Sequence, residues 1–217
     1  MLALSACSGA GAGSGNTVSV AEPVNTKTEP PYQNAEAETY QVEVAQTRGG
    51  RTDIYQIARK GDKWRVDNAF GTPEQTSSLH TDKDYVVSAG TKTYADFESG
   101  HGYDDRAATV EAVTGGLIGG RTEAVYDKVG VQDGKTIYRI TGIPGKPTET
   151  LITVDDKLGF PVLKELYKIE NGIRTLDVTY KLNGYKTEVD DSLFAIPKDY
   201  KKVPLEEMRK TLVPPKQ

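Results

Sequence analysis

The residues best suited to chemistry stand near the start of the chain, in Leu4-Ser5-Ala6-Cys7. Cys7 is the only cysteine among 217 residues, and two small residues precede it. A hydrophobic residue, two small residues and a cysteine form the pattern that bacterial lipoprotein signal peptidase recognises. The thiol would then carry a diacylglycerol, and two or three acyl chains anchor a protein firmly because each buried methylene contributes ~0.8 kcal/mol. The pattern predicts Cys7 as a lipidation site.

The surroundings of this motif leave two interpretations open. Only Met1, Leu2 and Ala3 precede it, whereas a secretory signal has a basic region and about 7–15 apolar residues before its cleavage site. In the first interpretation, residues 1–7 are the end of a truncated lipoprotein signal and residues 8–38 are a flexible tether. In the second, the cysteine stands by chance in a small-residue N-terminus. The first predicts an extracytoplasmic protein, lipid-anchored to the cell membrane or outer membrane and facing the periplasm or the cell exterior.

The rest of the chain shows no catalytic constellation. Its two histidines, His80 and His101, lack the close spacing of a metal site, and no Gly-x-Ser-x-Gly motif occurs. Acidic pairs such as Asp155-Asp156 supply oxygen ligands that suit Ca²⁺, but each pair stands at a predicted turn or helix start, where Asp side chains bond nearby N–H groups. We therefore expect a protein that is not an enzyme, with no metal and no cofactor.

The composition excludes two further classes of protein. Charged residues make up 27% of the chain and the formal net charge is -4. Without a basic stripe, nucleic acid is not an expected partner. No segment approaches the 18 consecutive apolar residues of a membrane-spanning helix. Twelve Tyr and 22 Gly favour β structure with many turns.

The elements that would position a site begin near Thr39. Alternating apolar and polar residues predict about eleven strands, joined in succession by glycine-containing hairpin turns. The clearest strand is Arg174–Asn183, and one helix is predicted near the middle of the chain, over residues 105–118. A short tail helix is predicted over Leu205–Leu212, because Pro204 suits its first turn.

Two motifs in the C-terminal third carry a resemblance. Leu151–Asp155, followed by Leu158–Glu165, resembles the "hydrophobic strand, Asp, Gly-[Phe/Leu]-Pro, strand" signature of the LolA/LolB-like lipoprotein-carrier superfamily. Val189–Val203 resembles the family's "Asp-x-x-Phe-x-[Leu/Ile]-Pro-x-[Gly/Asp]-[Tyr/Phe]" ending. Lys63–Asp67 fits the strand that follows the first two hairpins. The resemblance covers residues 39–203, with its specific motifs in Val154–Val203.

This resemblance implies a mainly β fold with few helices, an unclosed antiparallel β-half-barrel over residues 39–203, followed by a C-terminal tail over residues 204–217. In the family, helices plug the concave apolar face, where acyl chains or lipid moieties bind. Family members usually have an amphipathic helix before the first strand, and Thr17–Glu38 lacks that periodicity. Either residues 105–118 form the helical plug alone, or the pocket is shallow.

We therefore expect a membrane-anchored, non-enzymatic envelope lipoprotein that binds a lipid, or the acyl chain of a lipoprotein, in lipid or lipoprotein transport. One alternative is an envelope sensor or scaffold that binds a protein partner and has a filled core. Another is a lipoprotein whose barrel is fully packed and purely structural. The candidate ligand-binding residues are apolar positions on one strand face and on the helix, and each of them suits a filled core equally well: Tyr40, Val42, Val44, Trp64, Val110, Val113, Leu117, Leu176, Val178 and Tyr180.

Overall fold

Strands dominate the computed structural model, which describes residues 28–98, 106–120, 123–141 and 148–212. The alternation of apolar and polar residues produces most of them, and turns with glycine at positive φ separate them. The strands in the described residues are β1 (Thr39–Arg48), β2 (Arg51–Lys60), β3 (Lys63–Asn68), β4 (Thr76–His80), β5 (Asp84–Ser88), β6 (Thr93–Phe97), β7 (Val125–Gln132), β8 (Lys135–Thr141), β9 (Thr148–Asp155), β10 (Phe160–Glu170), β11 (Ile173–Lys186) and β12 (Lys201–Lys202). The helices are α1 (Arg106–Thr114), a 3₁₀ helix (Asp191–Phe194) and α2 (Leu205–Leu212).

All of these strands belong to one sheet, in the order β12-β6-β5-β4-β3-β2-β1-β11-β10-β9-β8-β7. Two antiparallel meanders, a first from β1 to β6 and a second from β7 to β11, meet where β1 pairs with β11. Because β7 and β12 stay at opposite ends of the order, the sheet does not close. The prediction of an unclosed half-barrel is confirmed. The prediction of eleven strands omitted β12, whose two residues are too few to show alternation.

The two faces of the sheet follow from the strand register. One row of directly opposed residues crosses the first meander: Val42, Ile57, Val66, Ser78 and Val86. Directly opposed residues lie on the same face of a sheet. Since α1 packs against β1, β3 and β11 on this face, we call it the concave face. The neighbouring row, which includes Ala58 and Leu79, lies on the outer face.

Three apolar clusters hold the sheet together. The main core lies between the concave face and α1, and its buried residues include Val66, Leu117, Ile152 and Val178. The edge core lies beneath α2 and consists of Val86, Ala95, Phe97, Val203 and Met208. The outer core joins Ala58, Leu79 and Phe194 on the opposite face.

The outer core is covered by residues 187–200, which we call the strap. The strap runs from β11 in the middle of the sheet to β12 at its edge. Lys60 Nζ lies 2.7 Å from Asp191 Oδ2, and Arg65 Nη1 donates to Leu193 O at 2.8 Å. The strap therefore covers the outer face of the first meander.

The packed chain begins earlier than the predicted boundary at Thr39. Thr28 pairs with Ala124, Asn34 is only 6% exposed, and Tyr32 and Ala37 pack against the main core. Residues 28–38, which we call the N-terminal segment, thus belong to the fold, although the sequence placed them in a tether. They lack periodicity because they pack through isolated side chains and form neither a helix nor a regular strand.

The predictions of the two helices differ in accuracy. The tail helix has the predicted bounds, and Glu207 N and Met208 N both bond to Pro204 O. The central helix ends at Thr114, because Gly115 and Gly116 adopt φ values of +62° and +78°. Leu117 therefore lies beyond the helix, yet it is buried like the helical residues before it.

Candidate functional site

Nine of the ten predicted ligand-binding residues come together in the main core. Each of the nine is at most 9% exposed. Strands β1, β3 and β11 supply six of them and the segment from α1 to residue 117 supplies three: Tyr40, Val42, Val44, Trp64, Val178, Tyr180, Val110, Val113 and Leu117. The lipidation residue, Cys7, lies outside the described residues.

Leu176 is the predicted residue that lies apart, since its side chain is 48% exposed. Leu166 pairs with Val178, and the next residue of β10, Tyr167, pairs with Leu176. Asp177 is therefore an extra residue in β11, which is a β-bulge. An extra residue reverses the alternation of faces, so Leu176 lies on the outer face, opposite to Val178.

The concave face is occupied by the chain's own residues. Leu117 and Ile118, which follow α1, are each 1% exposed and belong to the main core. A Cβ atom added to Gly115 would come within 2.6 Å of the Tyr180 ring, so the backbone lies directly on that ring. Residues 106–120 therefore form a plug that fills the space where a ligand was expected.

Polar contacts hold the end of the plug in place. The Asn34 side chain donates to Gly120 O, and Gly119 N donates to Asn34 O at 2.7 Å. Lys164 Nζ donates to Gly115 O at 2.5 Å. The plug is thus attached to the N-terminal segment on one side and to β10 on the other.

A half-buried carboxylate joins the start of the plug to the sheet. Arg106, the first residue of α1, forms an ion pair with Glu36, and Arg59 Nη1 lies 3.5 Å from Glu36 Oε2. Tyr40 donates its hydroxyl to Glu36 Oε1 at 2.9 Å. Burial, together with the neighbouring Glu36 carboxylate, raises the pKa of Tyr40, so its hydroxyl remains a donor.

A groove of about 710 Å³ lies on the outer face of the second meander. One row of directly opposed residues forms its floor: Ile137, Thr153, Leu163 and Lys181. Leu158, in the turn before β10, borders the groove and is 52% exposed. The charged residues that line the groove include both signs, among them Lys135, Asp155 and Glu165. The groove offers apolar contacts together with partners for both charges.

Sequence reasoning missed this groove, although a signal was present. Ile137 and Tyr138 are adjacent apolar residues in β8. Two apolar neighbours in a strand place one side chain on each face. The contacts of Asn34 and Glu36 had no such signal, because the segment that carries them is irregular.

The contacts of His80 are those of a structural residue. Its Nδ1 lies 2.7 Å from Asp84 Oδ1, and its ring stacks on Trp64 with an interplanar angle of 4°. Trp64 and His80 both border a shallow groove of about 460 Å³, together with Arg59 and Arg106. Among the described residues, no three His, Cys, Asp or Glu side chains are grouped so as to hold a metal ion. His101 lies outside the described residues.

No protein-family model matches the chain, and no curated protein matches its sequence. In the part that the structure describes, no helix is long and apolar enough to cross a membrane. Among solved structures, the chain is similar to MucB, with 12% identity over 76% of this chain and 59% of that chain and a TM-score of 0.46. It is also similar to MucB in the Pseudomonas aeruginosa MucA/MucB complex, with 12% identity over 76% of this chain and 58% of that chain and a TM-score of 0.45.

A LolA superfamily protein from Nitrosomonas europaea is 13% identical over 73% of this chain and 90% of that chain, with a TM-score of 0.30. The chain spans less than two thirds of the length of the MucB chains. Its assignment as a half-barrel rests on its own strand order and register.

Proposed function

We propose that this chain is a non-enzymatic binding module of the bacterial envelope that holds a protein partner on the outer face of its half-barrel. The filled main core carries the proposal. Leu117 and Ile118 occupy the concave face, and nine of the ten expected ligand-binding residues are at most 9% exposed. A lipid would need the space that these side chains already fill.

The groove on the second meander is the surface that we assign to the partner. The strap covers the outer face of the first meander, whereas Leu158 remains 52% exposed beside the groove. An acyl chain has no groups to pair with Lys181 or Glu165, while a peptide offers apolar side chains, backbone groups and charges together. The composition of the groove therefore favours a protein partner.

The envelope location rests on Cys7 and the residues before it. If the chain is expressed behind a complete lipoprotein signal sequence, we expect the mature protein to begin at Cys7 and to carry a diacylglyceryl group. Intact-mass measurement of the detergent-extracted protein would show this addition. The Cys7→Ser variant should lack it, and an unmodified wild-type mass would contradict the anchor.

A photo-crosslinking experiment tests the partner surface. A photoreactive amino acid replaces Lys181 in the groove or, as a matched control, Thr175, which is exposed on the same strand beyond the bulge. We expect a discrete crosslinked product from position 181 alone in envelope extracts. Excess unlabelled wild-type protein should suppress it, and excess Leu158→Asp protein should not. Equal labelling from both positions would overturn the assignment.

Lipid binding is the second candidate, and the polar attachment of the plug favours it. Removal of the plug would uncover the apolar concave face, and residues 115–120 are attached through Asn34 and Lys164. Lys164→Met keeps the aliphatic stem but removes the donor to Gly115 O. If the plug opens to lipid, native mass spectrometry with mixed envelope lipids should show more adduct for this variant than for the wild type. Unchanged apo masses for both proteins would exclude this candidate and leave the partner-binding proposal standing.

A further inference from the structure

The hairpin formed by β10 and β11 projects beyond the strands on either side of it. Its turn, Asn171-Gly172, has φ values of +51° and +77°, which are typical of a tight two-residue hairpin turn. Strand β1 ends opposite Val178, and β9 begins opposite Lys168. In the part of the chain that the structure describes, residues 169–174 therefore pair only with each other. We call residues 167–176 the hairpin tip.

Large apolar side chains are concentrated in the hairpin tip. The described residues include six exposed large apolar side chains, and three of these belong to it: Ile169, Ile173 and Leu176. Ile173, at 68%, is the most exposed of the six. Single apolar residues scattered over a surface are ordinary, whereas a group of them on one projecting element marks an interaction site.

The apolar side chains lie on both faces of the hairpin tip. Ile169 lies opposite Arg174, which stands two residues before Leu176, so Ile169 shares the outer face with Leu176. Ile173 lies opposite Glu170 and therefore on the other face. A protein surface would cover one face of a two-stranded ribbon, whereas lipid surrounds both faces of a ribbon that enters it. The arrangement favours a lipid surface as the occupant.

Aromatic and basic side chains stand at the base of the hairpin tip. The Arg174 guanidinium carbon lies 3.4 Å from the centroid of the Tyr167 ring, and Arg174 Nε donates to Glu149 at 2.7 Å. Lys168 Nζ lies 2.8 Å from Asp177 Oδ1. Tyrosine, arginine and lysine suit a membrane–water boundary, because their apolar parts contact lipid while their polar ends remain in water.

The predicted anchor would keep the hairpin tip close to a membrane. The 20 residues 8–27 separate Cys7 from Thr28, and a chain of this length spans at most roughly 70 Å. We propose that the hairpin tip enters the surface of the membrane to which Cys7 is attached. At about 3.3 Å per residue, Ile173 extends about 10 Å beyond Leu176, which matches the ~5–10 Å depth of interfacial segments.

The proposal fixes the orientation of the half-barrel on the membrane and leaves the outer groove in water. Lys181, on the floor of the groove, lies about 15 Å further along β11 than Leu176. A protein partner could therefore bind in the groove while the hairpin tip is in lipid. The proposal rests on the anchor that is part of the proposed function, and it does not depend on the partner.

A synthetic anchor tests the hairpin tip without natural lipidation. Cys7 is the only cysteine, so the full-length chain can be coupled to a maleimide lipid in vesicles of phosphatidylethanolamine and phosphatidylglycerol. Ile173→Trp reports on the hairpin tip. Val131→Trp is the matched control, because Val131 is also exposed and β-branched but lies beside the β7–β8 turn, at the opposite end of the sheet. The signal of the buried Trp64 is subtracted by means of the wild type.

We expect brominated lipids to quench the fluorescence of Ile173→Trp at least ~5-fold more strongly than that of Val131→Trp. Equal quenching at the two positions would overturn the proposal. If position 173 stays in water on vesicles but photo-crosslinks to a protein in cells, a protein is the occupant and the proposal is wrong. Because the synthetic lipid replaces the natural one, a negative result counts against the hairpin tip alone, whereas an unmodified Cys7 in cells counts against the anchor.

Glu170 supplies a test of opposite sign. Its carboxylate lies opposite Ile173, where it loses hydration on entry into lipid and is repelled by phosphatidylglycerol. In the Ile173→Trp background, Glu170→Gln should therefore increase the quenching by about 2-fold, and Ile169→Asp should reduce it at least ~5-fold. A purely structural role for the hairpin tip predicts no gain from Glu170→Gln. Unchanged quenching in both variants would contradict entry of the hairpin tip into lipid.

Discussion

Gly115 shows how closely the plug lies on the sheet. Its φ of +62° ends α1, and its Cα lies so near the Tyr180 ring that a methyl group there would come within 2.6 Å. Gly119 has a similar φ of +75°, but nothing lies within 4 Å of the position where its Cβ would be. The two glycines therefore share one backbone requirement and differ in the space around them.

This difference yields a prediction for a pair of alanine variants. Gly119→Ala should incur only the backbone cost of a positive φ, whereas Gly115→Ala adds a clash with Tyr180. We expect Gly115→Ala to lower the free energy of unfolding by about 1–3 kcal/mol more than Gly119→Ala. Urea titration followed by Trp64 fluorescence measures both values. Equal losses would mean that the plug is not seated on Tyr180.

At single positions, sequence reasoning succeeded where alternation is regular and failed where one residue interrupts it. The residues of β1 and β11 that follow the regular period lie in the main core, as the pattern indicates for Val44 and Val178. Leu176 stands two residues before Val178, so regular alternation would place both on one face. The bulge at Asp177 moves Leu176 to the outer face instead. A bulge changes no residue type in the strand, so the alternation alone cannot locate it.

Among the elements, the C-terminal end is attached to the sheet edge by surface ion pairs. Lys202 Nζ lies 2.7 Å from Asp96 Oδ1, and Lys92 Nζ lies 2.8 Å from Asp199 Oδ2. The hydrogen bond from Lys202 lowers the pKa of Asp96, and the hydrogen bond from Lys92 lowers the pKa of Asp199. These contacts attach β12 and the residues before it to the β6 edge.

Acid should therefore loosen this end of the molecule. A carboxylate whose folded pKa is lowered stabilises the fold above its unfolded pKa of ~3.9, and this contribution is lost as the pH falls through the folded pKa. We expect the methyl resonance of Met208 in α2 to shift as the pH falls below about 4, before the methyl resonances of Val178 change. The Asp96→Asn variant should show part of this shift already at pH 7. Simultaneous changes at Met208 and Val178 would indicate global unfolding instead.

The lysines of the same pairs give the opposite sign at high pH. Hydrogen bonds to the carboxylates raise the pKa of Lys92 and of Lys202. Their stabilisation is complete below the unfolded lysine pKa of ~10.4 and is lost as the pH rises through the folded value. The attachment of β12 is therefore expected to be strongest between these two limits.

For the whole molecule, the concave face carries two cores separated by a polar position. Ser78 lies between Val66 of the main core and Val86 of the edge core in a single row of opposed residues. Leu117 fills the main core and Met208 the edge core, and each is at most 1% exposed. The two clusters share no buried residue.

Substitutions in the two cores should therefore act independently. Leu117→Ala and Met208→Ala should each cost about 2–5 kcal/mol of unfolding free energy. We expect the double variant to equal their sum within ~0.5 kcal/mol. Leu117→Ala combined with Val113→Ala provides the control, because those residues share the main core and should depart from additivity. Strong coupling between Leu117 and Met208 would show that the two cores act as one.

The meeting of β1 with β11 has a consequence for biosynthesis. Gln41 pairs with Lys186, so the partner strand of β1 is among the last parts of the sheet to be made. The first meander needs only its own hairpins and can form early, with one side of β1 open. At about 5–20 residues per second, synthesis of the intervening chain leaves that side unpaired for about 7–30 s. During that interval the central strand of the nascent chain has an unpaired edge that can pair with other chains. A chaperone that binds the chain at this stage would therefore raise the yield of folded protein.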